Sequence, residues 1–183
     1  MSSRYKIHDD YKPHFITSTV VRWIDALSRP VYKDIIVDSL RFSIENKGLR
    51  LYSWVIMSNH FHIIASAEDN HSLAGTIRDI KKFTSNKLLK AIATNPQESR
   101  REWMMKVFEY DGSHNNSNER FQFWQHGLHP VELSTDAMFF ERFNYVHENP
   151  VKAGLVRQSQ DYIYSSAIDH YENRKGLLPL TEF

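Results

Sequence analysis

The chain has 183 residues, 41% of them hydrophobic and 25% charged, the balance of one soluble domain with apolar material for its own core. Cysteine is absent, which excludes a disulfide framework, a thiolate zinc site and a cysteine nucleophile. No apolar run approaches the roughly 18 residues of a membrane span, no signal-peptide pattern opens the sequence, and a net charge of +1 does not announce a nucleic-acid binder. A soluble protein of the reducing cytoplasm, without a membrane partner, is the simplest expectation.

In chain order, His14–Val21 is rich in β-branched and aromatic residues and predicts a first strand. Pro30 opens a helix whose Tyr32, Ile36, Leu40 and Ile44 recur every fourth residue, and Gly48 ends it. Leu49–Met57 is apolar on both faces and predicts a central strand. Ser58-Asn59 forms a turn, and His60–Ser66 returns as the second arm of a hairpin. A helix follows from about residue 72 to 92, burying Leu73, Ile77, Ile80 and Leu88 and exposing a basic face of Arg78, Lys81, Lys82, Lys87 and Lys90. Residues 110–119 read as a mobile loop, and 121–125 and 128–133 as short strands. Ser134-Thr135-Asp136 offers N-caps for a helix that stops before Pro150. The order strand, helix, strand, strand, helix, strand matches a split βαβ, ferredoxin-like α+β fold. Its antiparallel sheet carries helices on one face, and one further helix follows. A single domain is expected, with its core over about 13–156 and an irregular tail over 157–183.

Two segments carry chemistry. In a strand, His60 and His62 project from the same face about 6.5 Å apart, while Phe61 and Ile63 bury on the other. Two neutral imidazoles so placed can share a metal ion. The pair alone reads more readily as two solvated or core histidines, but it follows a hairpin turn at the mouth of a central strand. In the last helix Phe139, Phe143 and Val146 form the core stripe, and Tyr145 lies about a third of a turn away. Arg142 and Asn149 share the Tyr145 sector. A boundary tyrosine followed by a C-capping asparagine would give the same pattern.

Taken together, the segments resemble a known family. Trp54-Val55-Ile56-Met57-Ser58-Asn59-His60-Phe61-His62-Ile63-Ile64 resembles the histidine–hydrophobe–histidine motif of single-tyrosine transposases of the IS200-like fold. Tyr145-Val146-His147-Glu148-Asn149-Pro150-Val151-Lys152-Ala153-Gly154-Leu155-Val156 resembles the tyrosine helix of their REP-associated branch. The stretches Phe123–Leu133 and Asp161–Ser166 look like that branch too, whereas Ser58 stands where the family often has proline. The resemblance implies a metal-dependent strand transferase that cleaves and rejoins single-stranded DNA beside a palindromic-repeat hairpin. Tyr145 would be the nucleophile, with a 5′-phosphotyrosine intermediate, and His60, His62 and Asn149 would hold Mg2+ or Mn2+. Two imidazoles suit manganese better than magnesium. Arg78, Lys81, Lys82, Lys87, Arg120, Arg142 and Lys152 are candidate phosphate contacts; for the helical ones, a solvated face is the alternative. Trp124 or His126 could stack on a base or belong to the core. The active unit would be a monomer or a homodimer. Two other readings stay open: a domesticated hairpin-binding module without cleavage, and a metal hydrolase completing the histidine pair with Glu141 or Glu148.

Overall fold

The computed structural model describes residues 7–114, 120–172 and 174–183. β1 (His14–Thr19), β2 (Leu49–Ile56), β3 (His60–Ala67) and β4 (Val131–Glu132) form one antiparallel sheet in the order β2-β3-β1-β4. This is the strand order of the split βαβ arrangement. Alternation along β3 sorts the two faces. Phe61, Ile63, Ala65 and Ala67 pack in one core with Ile36 and Leu40 of α1 (Pro30–Asn46) and Ile77, Ile80 and Leu88 of α2 (Leu73–Thr94). Ile64 packs on the opposite face with Phe15, Val55 and the Phe139, Phe143 and Val146 stripe of α4 (Asp136–Lys152). The histidine pair lies on that second face, under α4.

The boundaries follow local chemistry. Pro30 sits at the start of α1, where its missing N–H costs nothing. Ser72 caps α2 by accepting from the Gly75 amide, and Thr135 caps α4 by accepting from the Met138 amide. A bulge between Leu51 and Ser53 inserts Tyr52 as an extra residue, so Tyr52 and Ser53 both reach the α4 side.

Several sequence expectations are corrected. β1 ends at Thr19 instead of Val21, because Arg22 and Trp23 take positive φ and turn the chain. β2 is an edge strand, not a central one. It is buried at every position but Arg50 because residues beyond α4 cover its free edge: the Ile56 amide donates to the Tyr164 carbonyl, Ser166 N–H to Trp54 and Thr181 N–H to Leu51. The segment after 157 is accordingly less irregular than expected and includes α5 (Ala167–Tyr171). Residues 121–125 form no strand; Trp124 makes an isolated bridge to Val20.

The helix over 136–152 runs past Pro150. The helix ends two residues later in a Schellman closure. Leu155 N–H donates to the Pro150 carbonyl and Gly154 N–H to Val151, with Gly154 at φ +71°.

α3 (Arg101–Ser113) was not expected, and it absorbs the first residues of the predicted loop. Residues 115–119 of that loop lie outside the described residues. Only Met104, Phe108 and Gly112 of α3 are buried, a stripe one residue wide that gives a faint periodic signal. Gly112 is needed because backbone replaces its side chain: a Cβ there would stand 2.6 Å from the Arg120 carbonyl oxygen. The Gln122 amide is tied to the Phe108 carbonyl, so this backbone cannot easily withdraw. Gly112→Ala should therefore destabilise the protein by about 1–3 kcal/mol despite the better helix propensity of alanine, as thermal unfolding would show.

Beneath α4, His147 is fully buried, with Nε2 3.1 Å from Ser53 Oγ and 2.8 Å from Ser166 Oγ and its Nδ1 without a partner. Burial, helped by the nearby His170, pushes its pKa down to about 3 from an ordinary 6.5. Because the folded value is depressed, the unfolded chain takes up the proton first. This contribution is intact above pH 6.5 and is lost as pH falls toward 3. Between pH 7 and pH 5 urea unfolding should register about 2 kcal/mol of lost stability from this group, and His147→Gln should flatten that part of the slope.

Candidate active site

β3 and α4 bring the predicted site residues together within one chain. The His60 and His62 rings lie 4.7 Å apart between centroids, and the Tyr145 ring lies 5.3 Å from that of His62. Phe15, on β1, stacks on His62 at 5.1 Å and meets Tyr145 edge-on at 5.8 Å. Tyr145 is 37% exposed, so its ring rests on this aromatic floor at the surface.

Each imidazole is held by a neighbour. Register places Thr17 opposite His62, and Thr17 Oγ1 lies 2.7 Å from His62 Nδ1. His62 Nε2 is buried and has no hydrogen-bond partner. Burial, then the charges of His60 and Arg142, push His62 down to about 3, so its ring is neutral at physiological pH. His60 Nδ1 lies 2.6 Å from Asn59 Oδ1, and its ring also hydrogen-bonds the Asn149 side chain. Burial lowers the His60 pKa, and the Asn149 contact partly opposes that shift.

The amides are oriented by backbone. Asn59 Nδ2 donates to the Trp23 carbonyl at 3.2 Å, and Asn149 Nδ2 donates to the Tyr145 carbonyl at 3.1 Å. The Asn59 oxygen faces His60 Nδ1, and the Asn149 side chain meets the same ring. The bare His62 Nε2, the His60 ring and the Asn149 amide make up a set of uncharged nitrogen and oxygen donors that a divalent cation would fit. Among the described residues no cluster of three His, Cys, Asp or Glu could hold a metal, so no carboxylate completes the pair. Glu148 accepts from Ser159 Oγ, and Glu141 is largely exposed beside Arg142. The hydrolase reading loses its ligand.

The sequence profile of the family "Transposase IS200 like" matches residues 8–111, more than half of the chain. The chain belongs to the IS200-like transposase family. No curated protein matches it. Among solved structures, a REP-associated tyrosine transposase bound to a REP hairpin shares the fold with a TM-score of 0.66 at 17% identity, over 100% of this chain and 95% of that one. A chain from Deinococcus radiodurans R1 proposed to be a transposase gives a TM-score of 0.44 at 12% identity, over 78% and 95%.

Of the transposase's predicted basic contacts, the fold brings two to the tyrosine. The Arg142 guanidinium carbon lies 6.0 Å and the Lys152 ammonium 5.9 Å from the Tyr145 ring centroid. Arg78, Lys82 and Lys87 are exposed on α2, across the sheet from the histidines. Lys81 departs from the expected open face: it is half-buried and donates to the Gln125 and Gly127 carbonyls at 2.9 and 3.1 Å, fastening the loop before β4. Arg120 pairs with Glu109 at 3.2 Å and lies over Phe121, away from the tyrosine. Trp124 belongs to the core, its indole N–H donating to Thr84 Oγ1, while His126 is exposed. No described helix is long and apolar enough to cross a membrane.

The sequence reading missed Thr17, Asn59 and Phe15 as supports of the site. Thr17 and Phe15 face the pair only through the β1–β3 register, which no local pattern specifies. Asn59 stands out in the sequence as a polar turn residue in an apolar run, but its contact with His60 does not.

Proposed function

We propose that this transposase cuts and rejoins single-stranded DNA beside a hairpin, with Tyr145 as nucleophile and His60, His62 and Asn149 as the ligands of a divalent cation, Mn2+ or Mg2+. The observation that carries the reading is the meeting of a buried, unpartnered imidazole nitrogen, a second imidazole and the Asn149 amide beside an accessible phenol. A REP hairpin bound to the structurally similar transposase supports a hairpin as the DNA partner.

The chemistry follows from the residue types. The Tyr145 oxygen attacks the scissile phosphorus, the P–O bond to the 3′ carbon breaks, and the leaving oxygen takes a proton as the phenol gives one up. The products are a 5′-phosphotyrosine ester and a free 3′-OH. In the reverse sense a 3′-OH attacks the ester and the phenol is restored, so one nucleophile serves cleavage and joining without an external energy source. When bound, the cation would supply charge neutralisation at the phosphate. Arg142 and Lys152 flank the Tyr145 ring, where their charges hold the phosphodiester close. Thr17 and Asn59 fix the rings, and Phe15 keeps water from one side of His62.

The test is incubation of the protein with hairpin oligonucleotides bearing single-stranded flanks, with and without manganese, followed by a denaturing gel. A metal-dependent band of covalent protein–DNA adduct is expected. Hairpin binding that ignores metal, with no cleavage in any divalent ion, would favour the binding-module reading instead.

A further inference from the structure

Trp23 is 61% exposed, the most exposed tryptophan among the described residues, and its ring lies 6.0 Å from that of His60 at an interplanar angle of 69°. It sits in a costly conformation: Arg22 and Trp23 are consecutive non-glycine residues at φ +53° and +57°. A bulky aromatic gains nothing from that region, and an asparagine or glycine would occupy it more easily.

The turn is nonetheless firmly held. Val21 N–H donates to the Phe123 carbonyl, and Trp23 N–H to Val20. The Arg22 guanidinium pairs with Asp111 at 2.7 Å and lies over Tyr110 at 4.9 Å. The Asn59 amide that holds the Trp23 carbonyl is the same amide whose oxygen faces His60. A rigid, strained turn thus presents a large open ring beside the histidine pair, and the hydrophobic core draws no benefit from it.

We propose that Trp23 is a stacking platform for an unpaired nucleobase of the single-stranded flank, beside the scissile phosphate. An indole face is the strongest stacking surface a side chain offers, and it accepts any base. The inference rests on the proposed function and adds a residue that reads the single-stranded character of the substrate.

The experiment uses the full chain and hairpins carrying 2-aminopurine at successive flank positions, with a flankless hairpin as reference. Trp23→Asn removes the ring at a position asparagine accepts, so folding should be kept or improved while stacking is lost. The wild type should quench one flank position. Trp23→Asn should release that quench and bind the flanked hairpin about 5- to 100-fold more weakly, with flankless affinity unchanged. Trp23→Phe should retain most of both signals. Trp103→Ala, which removes the other well-exposed tryptophan from α3, should change neither. Unchanged quenching and affinity in Trp23→Asn, or an equal loss on the flankless hairpin, would overturn the platform and leave the proposed function standing. Failure of the wild type to bind any flanked hairpin would overturn both.

Discussion

Replacing Tyr145 by phenylalanine should abolish the covalent adduct, by at least about 1,000-fold in rate, while hairpin affinity stays within a few-fold of wild type. Removal of a nucleophile that acts as part of a unit gives losses of this order or larger. The substitution is clean because the ring does the packing. Its contacts with Phe15 and His62 are ring-to-ring, and the helix stripe that anchors α4 consists of Phe139, Phe143 and Val146. Only the hydroxyl is lost, so unfolding should be unchanged. Quantitative denaturing gels with manganese, read beside a binding titration, separate the two effects. An adduct that persists in Tyr145→Phe removes the assignment of the nucleophile.

The second large effect belongs to His62. Its Nε2 is buried and unpartnered, and its other nitrogen is already engaged by Thr17. His62→Ala deletes one of three proposed ligands and should lower manganese affinity by more than about 100-fold, since loss of a group that merely orients a ligand costs about 10- to 100-fold. Thr17→Val, which leaves the ligand but frees its ring, should fall within that smaller range. Excess manganese should restore cleavage in Thr17→Val and not in His62→Ala. Calorimetric titration of manganese checks both. Equal affinity in wild type and His62→Ala would place the cation elsewhere.

The fold and the site were legible to different depths. The helix over 30–46, the 49–67 hairpin and the helix over 73–94 followed from periodicity and turn residues, because each buries a wide apolar face. α3 was hidden because it buries a stripe of Met104, Phe108 and Gly112 only, and because Asp-Gly-Ser looks like a turn. There Gly112 serves close packing of helix on backbone. The edge position of β2 was misread for a related reason. Local sequence cannot say that the strand's free side is closed by a segment more than 100 residues later, as the Ser166–Trp54 bond shows.

At the site, His60 with His62 and Tyr145 with Asn149 could each be grouped from the spacing of one element. Their meeting across β3 and α4 could not. Neither could the roles of Thr17 and Asn59, which depend on strand register and on the direction of an amide. Trp23 stayed silent because exposure and a positive φ have no signature in a single sequence. Lys81 shows the converse, a lysine on a basic face whose ammonium is committed to two carbonyls.

The most direct measurement is peptide mapping by mass spectrometry of the adduct formed with a flanked hairpin and manganese. The geometry predicts a nucleotide remnant on the peptide that contains Tyr145, attached through a phosphotyrosyl bond and missing when manganese is withheld. A remnant on another tyrosine, or a cleaved hairpin with no modified peptide at all, would contradict it.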